Sequence, residues 1–331
     1  MAESPAERRS LADCRALVAR IFESHNTAPH NAASVARALV AAEADGQGGH
    51  GLSRVASYAA QAAAGKVDGH AVPTAEQDGA VLRVDAAHGF AYPAVDVALS
   101  ALPAMVNTSG LAAAAIGRSH HCGVLGHTVE ALAEQGLVAV MVSNTPAAMA
   151  PWGGARAIFG TNPIAFAAPG DDAPVVIDLS LSKTARGKIV RAAAEDEPIP
   201  EGWALDAEGR ATTDAKAGLA GTMVPMGDAK GVALALMVEV LSAGLTGANY
   251  GFQASSFLDA EGEPPSVGQL LIAMDPARMG GSAAHIGTLL AAIDAEEGAR
   301  RPGARRLLAR AAAAREGLAI PDALMKLPGA A

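Results

Sequence analysis

Cysteine is nearly absent. Cys14 and Cys122 are the only two in 331 residues. Two cannot make a disulfide framework, and neither has zinc-ligand spacing, so a reducing, cytoplasmic setting and no metal site are expected. Charge is sparse too, at 18%, and the net charge is −9. An acidic chain without a broad basic face is a poor binder of nucleic acid. Long apolar runs are missing. Val232 to Leu245 comes nearest, but it is short and contains Glu239, so no membrane span is expected. The start, MAESPAERRS, has no apolar h-region of a signal peptide. No strand is followed by G-x-G-x-x-G, and the chain has no Walker A, H-E-x-x-H or G-x-S-x-G. The parallel dinucleotide fold and several hydrolase classes lose their signatures.

What is present is globular. Half of the residues are hydrophobic, and the length suits one large domain or two interleaved ones. Leu11, Cys14, Leu17, Val18 and Ile21 recur at helical spacing, and helices extend to Ala44 with a break at His25 to Pro29. A short helix covers Arg54 to Ala64. Strands are expected at Val81–Asp85, Leu111–Ile116, Val138–Ser143, Ile164–Ala167, Val175–Asp178 and Leu270–Met274. Further helices are expected at Ala91–Thr108, Leu125–Gln135, Gly187–Ala194, Lys230–Leu245, His285–Glu296 and Arg305–Glu316. The fold class is α/β. Three segments are drawn: helices of 1–75 with a His-bearing loop, a central sheet domain of 76–284, and C-terminal helices of 285–331 packing on the first segment.

Five constellations carry possible chemistry. In Gly48-Gly49-His50-Gly51-Leu52-Ser53-Arg54, glycines let a ligand approach the backbone. His50 is a candidate acid/base, and Arg54 has the fork that suits a carboxylate. A plain surface loop would look similar. Arg118-Ser119-His120-His121-Cys122-Gly123-Val124-Leu125 runs from a strand end into a helix start, a natural anion seat. A capping and a core histidine would explain it equally. Phe159-Gly160-Thr161-Asn162-Pro163 offers a hydroxyl and an amide, but it is also good turn chemistry. Lys230 opens an apolar helix, where a cation is unfavourable without an anion nearby. Arg300, Arg301, Arg305, Arg306 and Arg310 could grip phosphates, although a solvated basic face is the commoner meaning.

The stretches HGLSR, SHHCG, FGTNPIAF, VIDLSLSKTARGKI, IPEGWALD, TTD and KGVALALMVEVLSAGLTGA occur in one order over about residues 40–281, with R-x-P-G near the end. In this the chain resembles the malate/L-lactate dehydrogenase-like family. The resemblance implies a homodimer with a non-Rossmann NAD(P)-binding domain built on a large mixed or mostly antiparallel sheet, plus a helical domain formed by both termini. It implies His50 as proton donor and acceptor, Arg54 as carboxylate clamp, and Thr161 and Lys188 at the substrate. It implies cofactor contacts at His121, Cys122, Gly123, Val124, Leu125, Asp178, Leu179, Ser180, Lys230, Gly303 and Arg305. The implied cofactor is NAD or NADP, with NADPH favoured by the arginine cluster, and the partner is a small carboxylate. Gly49 replaces the serine that often precedes the family's histidine, and Lys188 stands where the imine reductases often have an acid. The runs look most like the sulfolactate dehydrogenase branch, and Lys183, Arg186 and Lys188 would meet a second anionic group. Interconversion of a 2-hydroxy acid and its 2-oxo acid is therefore expected. Reduction of cyclic imino acids and a catalytically silent cofactor sensor are the alternatives.

Overall fold

A computed structural model describes residues 8–330. Strand β1 (Arg8–Arg9) leads into helix α1 (Leu11–Glu23), whose Ser10 cap accepts a hydrogen bond from the Asp13 amide at 3.1 Å. Helix α2 (Pro29–Ala44) starts on proline, which needs no N–H there. Two 3₁₀ turns, Gly48–His50 and Leu52–Arg54, connect it to α3 (Val55–Ala64).

The middle of the chain builds the sheet. It comprises β2 (Thr74–Asp78), β3 (Val81–Asp85), α4 (Ala91–Ser109), β4 (Leu111–Ser119), α5 (Leu125–Ala133), β5 (Val138–Ser143), β6 (Ile164–Ala168) and β7 (Val175–Leu179). Helix α6 (Arg186–Ala194) follows, then β8 (Ala204–Leu205), β9 (Ala211–Thr212), α7 (Ala215–Ala220) and β10 (Thr222–Met223), the three strands forming a small sheet. The chain closes with α8 (Ala229–Glu239), β11 (Val267–Met274), α9 (Ala283–Asp294), α10 (Ala304–Glu316) and β12 (Leu318–Ala319).

Seven strands line up as β2-β3-β4-β11-β5-β6-β7. Only β3 and β4 run parallel. The order is mixed and mostly antiparallel, unlike a doubly wound parallel sheet. Alternate residues serve opposite faces. Ala112, Ala114, Ile116, Leu271 and Ala273 join α4 and α5 in one core, while Leu270 and Ile272 face a second core with Ala235 and Val238 of α8. Helices thus cover both faces. A third core gathers α1, α2 and α3 with Ala313, Leu318, Ile320 and Leu324 from the end of the chain. β1 pairs with β12, and α10 packs on α2.

Two expectations need correction, and one strand was not read from the sequence at all. Strand β2 has no apolar alternation to reveal it, because all five residues are exposed on the sheet edge. The helix expected over Lys230 to Leu245 is regular only to Glu239. It then widens into a π-helical turn, Val240–Gly244, where the Leu245 amide reaches the Val240 carbonyl at 2.9 Å. The arginine cluster is largely consumed inside the protein. Arg301 pairs with Asp294, and Arg306 and Arg310 bind Asp45 and Glu130.

Candidate active site

The turn carrying His50 and Arg54 is held from three sides. The Leu52 amide donates to Glu43 Oε2 at 2.8 Å, and Ser53 Oγ donates to the Gly48 carbonyl at 2.6 Å. Arg54 Nε donates to the Gly49 carbonyl at 2.7 Å. No carboxylate pairs with Arg54 among the described residues, so both terminal nitrogens of its fork remain open. The His50 ring has no hydrogen-bond partner there either. Both side chains are half-buried.

His50 lies over His121, with ring centroids 5.5 Å apart and planes at 21°. A hydrogen bond joins His121 Nδ1 to the hydroxyl of Tyr58. His120 turns the other way into the core. Its Nε2 lies 2.9 Å from Gln61 Oε1, and Gln61 Nε2 donates to the Phe257 carbonyl at 2.9 Å. That second bond fixes the amide, so His120 Nε2 carries the proton toward Gln61. Burial holds all three imidazoles in the neutral form. His50 is lowered to about 4 by desolvation and then by the positive charge of Arg54. Desolvation, then Lys66 and Arg54, lower His120 to about 3. His121 falls well below its ordinary range for the same leading reason, with His50, Arg54 and His120 adding to it. Burial pushes the Cys122 thiol up to about 12, which leaves it packing rather than reactive.

The remaining candidates are spread over several elements, some of them joined by hydrogen bonds. Asp178 at the end of β7 accepts the Gly126 amide at 2.7 Å through Oδ2. A Cβ at Gly126 would sit 3.2 Å from that carboxylate, so the close approach favours glycine. Gly303, at φ +84°, begins α10 near the Val176 carbonyl, two residues from Asp178. The Leu181 amide donates to the Thr161 carbonyl at 2.8 Å, and the Met226 amide to the Leu181 carbonyl at 2.7 Å. These bonds link Thr161, Leu179, Ser180 and the start of α8 with Lys230. His121, Cys122, Gly123, Val124 and Leu125 run from the end of β4 to the start of α5, and His121 lies beside His50. Lys188 is exposed instead, its ammonium 5.6 Å from the centre of the Trp203 ring.

The start of α5 is not the vacant anion seat its sequence suggests, because the Asp178 carboxylate already sits there. That carboxylate suits a hydroxyl or amide donor. Helices α8 and α10 start without side-chain caps, and each carries an exposed cation, Lys230 or Arg305. No group of three or more metal-ligating side chains occurs among the described residues.

Several site residues escaped sequence reading. Tyr58 stands four residues after Arg54 on α3, a spacing that marks one helix face and would have found it. Glu43, Gln61 and Lys66 gave no motif signal. Phe257 lies in a long loop and meets His121 only through the fold.

The arrangement sets an unprotonated imidazole beside a guanidinium whose terminal nitrogens are open. The chain belongs to the malate/L-lactate dehydrogenase family, whose model matches residues 10–327. It is 53% identical to the (2R)-3-sulfolactate dehydrogenase (NADP(+)) of Chromohalobacter salexigens, over 96% of this chain and 95% of that protein. It is 39% identical to a Δ1-pyrroline-2-carboxylate/Δ1-piperideine-2-carboxylate reductase of Pseudomonas syringae pv. tomato, over 97% and 95%. The crystal structure of Δ1-piperideine-2-carboxylate reductase from that pathovar superposes with a TM-score of 0.91, covering 98% of this chain and 100% of that one. The sulfolactate dehydrogenase of Methanocaldococcus jannaschii gives 0.88 at 27% identity, covering 97% and 95%. No described helix is long and apolar enough to cross a membrane.

Proposed function

We propose that this protein is an NADP(H)-dependent 2-hydroxy acid dehydrogenase of the sulfolactate type. The carrying observation is the Arg54 guanidinium, half-buried beside His50 with a backbone carbonyl as its one hydrogen-bond partner among the described residues. A fork left open in such a place awaits a planar anion. The cofactor, when bound, supplies or accepts the hydride at C2. Arg54 holds the substrate carboxylate and fixes which face of C2 is presented. His50 takes the hydroxyl proton during oxidation and returns it to the oxo group during reduction. His121, Cys122, Gly123, Val124, Leu125, Asp178, Leu179, Ser180, Lys230, Gly303 and Arg305 are proposed to line the cofactor, Thr161 and Lys188 the substrate.

Electrostatics link the two roles. The free enzyme keeps His50 neutral, ready as a base. A bound carboxylate offsets the charge of Arg54, one of the causes of its low pKa, and so favours the imidazolium needed for reduction. Arg54→Lys keeps the charge and loses the fork. Substrate KM should rise roughly tenfold or more with a smaller change in kcat, as steady-state kinetics would read. An equal loss of kcat at unchanged KM would remove the clamp role.

The sulfolactate reading needs a second cation. Arg186, at the start of α6, is half-buried, has no carboxylate partner, and has its pKa lowered by desolvation. With Lys183 and Lys188 it would meet a sulfonate or second carboxylate. The second reading, cyclic imino acid reduction, is favoured by relatives of 36–41% identity named for that activity.

A homodimer is proposed on the outer face of α8. Leu236 is 53% exposed, Val240 49% and Leu245 63%, with Met237 between them. Such an apolar row seldom faces water. Leu236→Asp combined with Val240→Asp should convert the dimer to monomer in light scattering. A dimer unaffected by both changes would place the interface elsewhere.

A further inference from the structure

Residues 249–266 leave the π-helical turn and return to β11 as a closed strap. Its ends are pinned where the Asn249 amide donates to the Ser266 carbonyl at 2.8 Å and Asn249 Nδ2 to the Pro265 carbonyl at 3.1 Å. Its middle is fastened to the segment that follows the active-site turn. Lys66, just past α3, has a side chain only 1% exposed. Its ammonium donates to the Ser256 carbonyl at 2.8 Å, the Asp259 carbonyl at 3.1 Å and Asp259 Oδ1 at 3.1 Å. Gln61 adds its bond to the Phe257 carbonyl. Between these fastenings the Phe257 ring is driven inward. Its centroid lies 5.0 Å from that of His121 and 5.2 Å from that of His120.

A buried ammonium is costly, and this one has no link to the proton chemistry of His50. What it holds is an aromatic wall. Phe257 lies against His121, and His121 lies against His50, so three rings from distant parts of the chain form one pile. Tyr58 grips the edge of the middle ring.

We propose that the Lys66 latch and the strap it fastens hold Phe257 as a positioning wall, which keeps His121 and, through it, His50 in one orientation and shields them from water. Lys66 and Phe257 are positioning residues, since neither touches the reacting atoms. The inference rests on the reading of His50 as acid/base only for its consequence in turnover. Its physical content is separate. The charged and titratable groups facing the pair are Arg54 from the turn, Tyr58 from α3, His120 and Cys122 from the loop after β4, and Lys66 behind His120. Asp259 points to solvent, with 52% of its side chain exposed.

The test is NMR of the histidine rings in the full-length protein, without substrate, together with amide exchange across 249–266. Lys66→Met removes the latch while filling its space. Phe257→Ala removes the wall, and Phe257→Leu is the milder form should alanine fail to fold. In Lys66→Met, strap amides should exchange faster. In both Lys66→Met and a Phe257 variant the titration of His50 should move from about 4 toward its ordinary 6.5. Asp259→Asn keeps both backbone carbonyls as acceptors and should leave that titration in place. A strap equally protected in Lys66→Met would overturn the latch. Loosened strap amides with an unmoved His50 titration in the Phe257 variants would overturn the wall. Moved titration in a protein without oxidoreductase turnover would leave this inference standing and remove the functional reading instead.

Discussion

His50→Gln is expected to lower kcat by roughly a hundredfold to ten-thousandfold, the usual contribution of a general acid/base. That loss corresponds to about 3–5 kcal/mol of barrier. Cofactor affinity should change little, because Lys230, Gly303 and Arg305, proposed to line the cofactor, lie on or beside α8 and α10 rather than on the His50 turn. Glutamine keeps a hydrogen-bonding group of similar reach but cannot exchange a proton near neutral pH. The pH dependence carries a sign. Lowered to about 4 in the free protein, His50 is already the base that oxidation needs at neutral pH. Oxidation should therefore weaken only as pH falls toward that value. Reduction needs the imidazolium and should weaken as pH rises. Turnover of His50→Gln near the wild-type level, in both directions, would remove His50 from the chemistry.

Arg306→Met should cost about 3–5 kcal/mol of stability, the range for breaking a buried ion pair by removing one partner. Arg306 is 8% exposed and donates to Glu130 at 2.6 and 2.8 Å and to Asp45 at 3.1 Å. Arg310 bridges the same two acids, and His127 Nε2 contacts Asp45 at 2.8 Å. Despite their burial, Arg310 and His127 hold Asp45 low, and Arg306 and Arg310 hold Glu130 low. Depressed carboxyls add stability above their unfolded range near pH 4, and lose it as pH falls through the folded value. Without Arg306 that acid limb should move up in pH, and Tm should fall by roughly 4–7 °C at neutral pH. The same network fastens α10 to α2 and α5, and α10 begins at Gly303. Cofactor KM should therefore rise in Arg306→Met while substrate KM stays near wild type. An unchanged Tm would mean that Arg310 alone satisfies both acids.

The sequence carried the elements with strong periodicity. Helices α1, α4 and α5 and strands β3, β5 and β6 lie where their patterns put them, within a residue or two. What escaped was set by neighbours rather than by local pattern. β2 is polar and exists because an edge of the sheet was open to it. The α8 helix widens where Ser242 Oγ bonds the Val238 carbonyl at 2.5 Å, which no composition rule reveals. The candidate site divides similarly. HGLSR and SHHCG were visible as motifs, and the fold brings His50 against His121. The arginine run misled, because three of its members found carboxylates, and Arg300 and Arg305 remain exposed, Arg305 near Gly303. Lys66 and Phe257 were invisible, since a buried lysine and a lone loop phenylalanine acquire meaning only from what they touch.

The central claim is the nature of the substrate, and one measurement addresses it directly. Oxidation of NADPH, and of NADH, is followed with sulfopyruvate, oxaloacetate, pyruvate and Δ1-piperideine-2-carboxylate at matched concentrations. The account predicts the highest kcat/KM with NADPH and a doubly anionic 2-oxo acid, with pyruvate weaker for want of the group that would meet Arg186. Preference for the cyclic imine would contradict it, and would mean that Gly49 and Lys188 are no barrier to imine reduction.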